Sequence, residues 1–327
     1  MSKVLITTVP FGDKNRLPLE QLEAAGIDYL INPLGRKLKE DELAEMVTDF
    51  DALIAGTEPI TEKVMAKAKC LKLISRVGIG LDSVDLLAAE RRCIQVSYTP
   101  DAPAPAVAEL TIGLILTLLR SVHVANTQLH RGEWHRHFGR RIPEVTIGII
   151  GTGRIGGRVL RRLSGFGTPR ILVNDTHPNQ NIAPQHKLEW VDKETIYRES
   201  DVISLHVPLT AQTKNMIQRE HLLKMKQDAM IINTARGGII NEQDLAAVMA
   251  AGHLSGAAID VFNQEPYKGE LAKIDRCLLT SHMGSMSVDC RTRMEIEATE
   301  EAVRFLTGQA PSSLVPPEEY DVQRQGL

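Results

Sequence analysis

Three short segments carry residues able to do chemistry, and they occur in a fixed order along the 327-residue chain. Gly151-Thr152-Gly153-Arg154-Ile155-Gly156 has the composition of a phosphate-cradling loop. Asn233-Thr234-Ala235-Arg236-Gly237-Gly238 sets an arginine among small residues. Phe262-Asn263-Gln264-Glu265-Pro266, followed by Ser281-His282-Met283-Gly284, offers a carboxylate and a histidine. Arginine presents a planar fork of donors that matches a carboxylate and an oxygen on the next carbon. Histidine titrates near neutrality and can both take and return a proton. A carboxylate beside it fixes its tautomer and favours its charged form. Together these groups could grip a 2-hydroxy acid and move its hydroxyl proton while a nicotinamide takes a hydride.

Each group also has a plainer reading: a glycine turn, a surface arginine, an exposed turn glutamate, one of 10 histidines. Context separates the two readings. Gly151, Gly153 and Gly156 follow the apolar run Ile147–Ile150 and open a helical stretch at Arg154. In that setting the first glycine permits a tight turn, the second lets backbone approach a pyrophosphate, and the third allows close helix–strand packing. The helix start supplies N–H groups and a positive dipole end to phosphates. Arg154 lies inside the loop and can reach a phosphate. A second strand closes at Asn174-Asp175, about 20 residues on. A carboxylate there accepts hydrogen bonds from an adenosine ribose and repels a 2′-phosphate, which selects NAD over NADP. Arg236 and His282 each follow a sheet strand, where folds of this type bind ligands.

Short apolar runs that alternate with helical patterns are what parallel βαβ units require. The first part has strand candidates at Val4–Thr7, Tyr29–Ile31, Ala52–Ala55, Leu73–Arg76 and Ile94–Ser97, with helices such as Glu40 to Phe50 and Thr61 to Lys69. Asp101-Ala102-Pro103-Ala104-Pro105 suits a hinge and a helix start. An apolar helix then runs from about Val107 to Leu119. A second series starts at Val145–Ile150 and continues at Ile171–Asn174, Val202–His206, Met230–Asn233, Gly256–Asp260 and Leu278–Thr280, giving a six-stranded doubly wound sheet. The charged stretch from about Val288 to Leu306 reads as a helix that returns the chain to the first part. Pro311 to Leu327 reads as a mostly extended surface segment.

Bulk composition agrees with a two-domain α/β protein. The length exceeds one small core, and 43% hydrophobic residues is ordinary for a globular chain. Lys+Arg number 38 against Asp+Glu 41, a net charge of -3, so neither nucleic acid nor an anionic membrane is expected as a partner. Cys70, Cys93, Cys277 and Cys290 form no C-x-x-C pair and fit a reducing cytoplasm. Leu110 to Leu119 is too short to cross a bilayer, and the N-terminal run Lys3–Thr7 lacks the marks of a secretory signal. The histidines at 130, 135 and 137 match no metal-ligand spacing, and no metal is expected.

Over nearly its whole length the chain resembles the D-isomer-specific 2-hydroxyacid dehydrogenases, closest to the phosphoglycerate dehydrogenase branch. The resemblance runs through Ser75–Asp85 (SRVGIGLDSVD), Val107-Ala108-Glu109-Leu110, the glycine loop, His206-Val207-Pro208-Leu209-Thr210, the Arg236 segment, Glu265-Pro266 and His282–Ser285. It implies two Rossmann-like domains with an active-site cleft between them. A flavodoxin-like substrate domain would take residues 1–100 and 285–327, and an inserted NAD-binding domain 101–284. It implies catalysis by Arg236, Glu265 and His282. A relative acting on formate has glutamine at the Glu265 position, so Glu265 points to a substrate with a transferable hydroxyl proton. His206, Val207 and Pro208 would line the nicotinamide ribose, and Asp260 would contact the carboxamide. Thr234, Ala235 and His282 would border the cofactor. The Val77 and Gly78 amides would meet the substrate carboxylate, with Arg76 nearby as a cation. A homodimer through the helix after the hinge is expected. The substrate reads as a D-2-hydroxy acid, 3-phosphoglycerate being one candidate. Glyoxylate or hydroxypyruvate reduction is the alternative, because Ala55-Gly56-Thr57-Glu58-Pro59 lacks the positive charge a phosphate wants. An NADH-sensing corepressor that reuses the fold is a more distant reading.

The carboxylate after the second strand yields the first prediction. Asp175→Ala should narrow the preference for NAD over NADP in kcat/KM by about tenfold or more, since the like-charge and hydrogen-bond contributions are each about 1–2 kcal/mol. A wild-type protein that prefers NADPH would overturn the assignment.

Overall fold

The structure, a computed structural model, describes residues 2–183 and 187–326. The chain divides into two compact units, Met1–Pro103 with Met286–Leu327, and Ala104–Ser285. Each is built on its own all-parallel sheet.

In the first unit the strands are β1 (Lys3–Ile6), β2 (Asp28–Ile31), β3 (Ala52–Ala55), β4 (Leu73–Arg76) and β5 (Gln95–Ser97), in the order β2-β1-β3-β4-β5. That is the flavodoxin-like order. Helices α1 (Leu17–Ala24), α2 (Glu40–Met46), α3 (Glu62–Lys67) and α4 (Leu86–Arg91) connect them. Strands buried on both faces read as continuous apolar runs, and Ala52-Leu53-Ile54-Ala55 is fully buried.

The second unit begins with α5 (Ala104–Leu119). Pro105 sits in its first turn, where a missing N–H is harmless. Ser121, in the left-handed conformation at φ 50°, separates α5 from α6 (Val122–His130). Seven strands follow: β6 (Thr146–Ile150), β7 (Arg170–Asn174), β8 (Leu188–Trp190), β9 (Val202–Leu205), β10 (Met230–Asn233), β11 (Gly256–Ile259) and β12 (Cys277–Leu279). They are joined by α7 (Arg154–Leu163), α8 (Lys193–Glu199), α9 (Arg219–Lys224) and α10 (Glu242–Ala250). The order β12-β11-β10-β9-β6-β7-β8 is the doubly wound order of dinucleotide-binding sheets, extended by β12. Side chains alternate between two cores. Leu172, Ile231, Ala257 and Ile259 enter one; Ile171, Val173, Ile232 and Ala258 join α5 and α7 in the other. Each fully buried leucine or isoleucine contributes about 1.5–3 kcal/mol.

Two expectations are corrected. The second sheet has seven strands, not six. Leu188-Glu189-Trp190 pairs with Ile171–Val173 as a three-residue edge strand, half-buried and too short to show a pattern. The segment after Pro311 is not extended throughout, because Pro317–Arg324 forms α12, with proline in its first turn and Glu318 and Glu319 at the positive end of the helix dipole. Nor is its approach loose surface chain. Buried Glu301, on α11 (Val288–Leu306), accepts the Ser312 and Ser313 amides at 2.9 and 3.0 Å, Val315 N donates to Val96 O, and Tyr98 N donates to Ser313 O. As expected, α11 returns the chain to the first unit, where it packs on β3, β4 and α1. Among the described residues no single helix is long and apolar enough to cross a membrane.

Candidate active site

The glycine loop sits at the carboxyl end of β6, the central strand where the strand order reverses. Its three glycines meet three different constraints. Gly151 has φ +94°, and a Cβ on it would stand 2.4 Å from His206 O. A Cβ on Gly156 would stand 2.0 Å from Gly151 O, so only glycine lets α7 lie this close to the loop. A Cβ on Gly153 would meet nothing within 4 Å. Gly153 is also the N-cap of α7 and makes no side-chain cap bond. An open position at an uncapped helix start is what a pyrophosphate requires, so these residues fit the dinucleotide.

Asp175 follows β7 and is half-buried. Its Oδ2 accepts Thr152 N at 2.6 Å and the Thr152 hydroxyl at 3.0 Å, and its Oδ1 accepts His177 N at 2.9 Å. Burial pushes its pKa up, but those hydrogen bonds and the His177 charge outweigh burial and lower it overall. The carboxylate is therefore ionised, held against the glycine loop by a contact that the sequence did not disclose.

The Arg236 loop leaves β10 through an Asx turn. Asn233 Oδ1 accepts Ala235 N at 3.0 Å, and its Nδ2 donates to Arg236 O at 2.8 Å. The Thr111 hydroxyl donates to Val107 O, so the buried Thr234 hydroxyl, 2.9 Å away, is the donor to Thr111 Oγ1 and ties the loop to α5. A Cβ on Gly237 would fall 2.1 Å from Phe262 C and 2.6 Å from Asn263 N. The Arg236 loop and the Glu265 loop are thus packed main chain against main chain.

Glu265 receives Phe262 N at 3.2 Å on Oε1, and His282 Nδ1 lies 3.0 Å from its Oε2 and 3.1 Å from its Oε1. The carboxylate assigns the Nδ1 proton, which leaves Nε2 as the nitrogen that can exchange a proton with a ligand. His282 is itself held in a left-handed conformation, φ 54°. Asp260 does the holding: its backbone O accepts His282 N at 2.8 Å, Oδ1 accepts the Thr280 hydroxyl and Met283 N, and Oδ2 accepts Gly284 N. Asp260 is 1% exposed, and its side chain is occupied with the His282 loop.

His206 turns its ring inward. Nε2 lies 2.9 Å from Ser204 Oγ, and burial pushes its pKa down to about 3, so it is neutral near pH 7. A Cβ on Gly151 would also stand 3.0 Å from Val207 Cγ1, and Pro208 O accepts the Thr213 hydroxyl at 2.6 Å. In the first unit, Arg76 is buried and donates to Ala55 O at 2.8 Å and Gly80 O at 2.8 Å. The amides expected to meet a carboxylate have protein partners. Val77 N donates to Ala55 O at 2.9 Å, and Gly78 N donates to Thr99 Oγ1 at 2.8 Å. Here Arg76 shapes the Val77–Gly80 turn.

Residues 112–284 match the family model "D-isomer specific 2-hydroxyacid dehydrogenase, NAD binding domain". A hydroxypyruvate reductase of Thermotoga maritima is 37% identical over 82% of this chain and 89% of its own length. A D-3-phosphoglycerate dehydrogenase of Methanocaldococcus jannaschii is also 37% identical, over 85% of this chain but 54% of its own length. The crystal structure of a protein from Thermus thermophilus superposes with a TM-score of 0.88 at 33% identity, covering 96% of this chain and 100% of that one. The chain belongs to the D-isomer-specific 2-hydroxyacid dehydrogenase family. It is an NAD-binding oxidoreductase of that family, and the glycine loop just described lies inside the matched NAD-binding domain.

The unequal surroundings of the glycines separate a folding effect from a binding effect. Gly153→Ala should weaken NADH binding by about tenfold or more, by crowding the phosphate. It should lower Tm less than Gly156→Ala, whose added Cβ meets main chain. Titration of NADH fluorescence beside thermal melts checks this. Undiminished NADH affinity in Gly153→Ala would show that the open position is not the phosphate site.

Proposed function

We propose that this protein reduces a small unphosphorylated 2-oxo acid, glyoxylate or hydroxypyruvate, to the D-2-hydroxy acid, with Arg236, Glu265 and His282 as its catalytic residues. The observation that carries the acid–base assignment is the Glu265–His282 pair at 3.0 Å, with Glu265 on a loop packed against that of Arg236. The nicotinamide, when bound, supplies the hydride. Arg236 grips the substrate carboxylate and the C2 oxygen with its fork of donors. His282 Nε2 delivers a proton to the C2 oxygen as that oxygen becomes an alkoxide, and takes it back in the reverse direction. Glu265 steadies the imidazolium and holds the ring in place.

The choice of an unphosphorylated acid rests on Glu58. This carboxylate lies just past the carboxyl end of β3, is 1% exposed, and accepts Gly56 N at 2.9 Å and the Thr7 hydroxyl. Ala55–Pro59 carries this carboxylate and no cation of its own, so the segment offers a phosphate monoester no partner. Arg76, Val77 and Gly78 shape the turn after β4. Within the same proposal the protein is cytoplasmic, since all four cysteines are free thiols. It is also a homodimer built around α5 and α6: Val122 and Leu129 on α6 are exposed apolar residues, whereas the apolar face of α5 is covered within the chain.

The test is NADH oxidation with glyoxylate, hydroxypyruvate and phosphohydroxypyruvate. The two unphosphorylated acids should give the higher kcat/KM, and His282→Gln should lower kcat by about 10²- to 10⁴-fold with NADH binding retained. A clear preference for phosphohydroxypyruvate would refute the substrate assignment. Tight NADH binding without turnover of any of the three would return the protein to the class of nucleotide sensors.

A further inference from the structure

The turn that carries Glu265 is held from its far side by a second carboxylate. Glu242 opens α10, and its Oε1 accepts Asn263 N at 2.7 Å. The preceding amide, Phe262 N, donates to Glu265 Oε1 at 3.2 Å. Two successive amides of one turn are thus taken by two different carboxylates, one on the reacting side and one behind. The helix start that bears Glu242 is itself fixed. Asn241 Oδ1 caps it by accepting Gln243 N and Asp244 N, each at 3.1 Å, and Asn241 N donates to Ile217 O at 2.9 Å. That start comes a few residues after the Arg236 loop, and Gly237 presses on Phe262 within the same contact.

A cavity of about 790 Å³ borders the turn, with Glu242, Gln264, Pro266 and Tyr267 in its lining. The Glu242–Asn263 hydrogen bond lies in the wall of this cavity, while Phe262 and Tyr267 at the ends of the turn stack on each other with ring centroids 4.2 Å apart. The charged and titratable groups around Glu242 are Glu265, Tyr267, Lys268 and Glu270. Burial pushes the Glu242 carboxyl pKa up, the Asn263 amide pulls it down, the Glu265 charge adds to the rise, and the net direction is upward.

We propose that Glu242 is a positioning residue: by accepting the Asn263 amide it sets the distance between the Glu265 turn and the Arg236 loop, and so keeps the Glu265 carboxylate on His282 Nδ1. The proposal rests on the reading of Glu265 and His282 as the acid–base pair. It assigns the role to the reach of the side chain and its acceptor oxygen, not to its charge. Glu242→Gln keeps an oxygen at the right reach without the charge. Glu242→Asp keeps the charge but draws it back by one methylene.

Both substitutions are made in the wild type and in Glu265→Gln, with kcat, KM for the 2-oxo acid and Kd for NADH measured in each. Glu242→Asp should lower kcat by about 10- to 100-fold at unchanged NADH affinity, as expected for a catalytic group displaced by a fraction of an ångström, while Glu242→Gln stays within about threefold of wild type. Because Glu242 acts through Glu265, neither change should lower kcat further in the Glu265→Gln background. The proposal is overturned if Glu242→Gln loses as much as Glu242→Asp, if Glu242→Asp keeps wild-type kcat, or if its loss recurs in full on Glu265→Gln. Wild-type kcat in Glu265→Gln alone would instead sink the acid–base reading beneath it.

Discussion

The contact between Gly237 and the main chain of Phe262 is the constraint on which the arrangement of Arg236, Glu265 and His282, the proposed catalytic groups, depends. Neighbouring strands of a sheet lie about 4.8 Å apart, so the loops that follow β10, β11 and β12 leave the sheet side by side. That spacing alone would leave three independent loops. Gly237 brings the first onto the second with no side chain between them. Asp260, at the end of β11, then binds three groups of the loop after β12 through its carboxylate and a fourth through its carbonyl. Arg236, Glu265 and His282 are consequently fixed by one connected set of main-chain packing and Asp260 hydrogen bonds, in the order in which their strands stand in the sheet.

Electrostatics then distinguishes groups of the same type. His206 and His282 both follow strands of one sheet, yet burial keeps His206 neutral, whereas His282 faces a carboxylate with one ring nitrogen and leaves the other for a ligand. Asp175 and Asp260 are likewise both carboxylates at strand ends. Asp175 is held ionised by hydrogen bonds from Thr152 of the glycine loop and from His177 N. Asp260 is consumed by four hydrogen bonds and serves geometry. A parallel sheet thus turns similar residues at equivalent positions to different uses through what each neighbouring loop donates.

Much of this was legible in the sequence, for reasons that particular residues make plain. Ala52–Ala55, Leu73–Arg76 and Met230–Asn233 are unbroken buried runs, and their strands fall where the apolar pattern puts them. The glycine loop is recognisable because Gly151 and Gly156 answer steric demands that no other residue meets, while Gly153 leaves the helix start open. The misses share a cause. Leu188–Trp190 is too short for any period to appear, and α12 lies in a segment whose prolines read as extended chain. The partners of Arg76, Gly78 and Asp260 depend on contacts with Ala55, Thr99 and Gly284, which no local spacing encodes. Asn233 could have been found, since an asparagine ending an apolar strand is an Asx-turn signal. Glu242 gave a weaker one, as an acidic residue in the first turn of a helix is commonplace.

The claim that catalysis depends on the interlocked loops is tested most directly by Gly237→Ala. Its Cβ would overlap main-chain atoms that cannot rotate away, forcing the Arg236 and Glu265 loops apart without touching any charged group. The measurement is single-turnover oxidation of bound NADH by a 2-oxo acid, with NADH affinity determined on the same sample. The account predicts a rate at least about 100-fold below wild type at an NADH affinity changed by a small factor. A wild-type rate in Gly237→Ala would contradict it, because the catalytic groups would then hold their places without the contact.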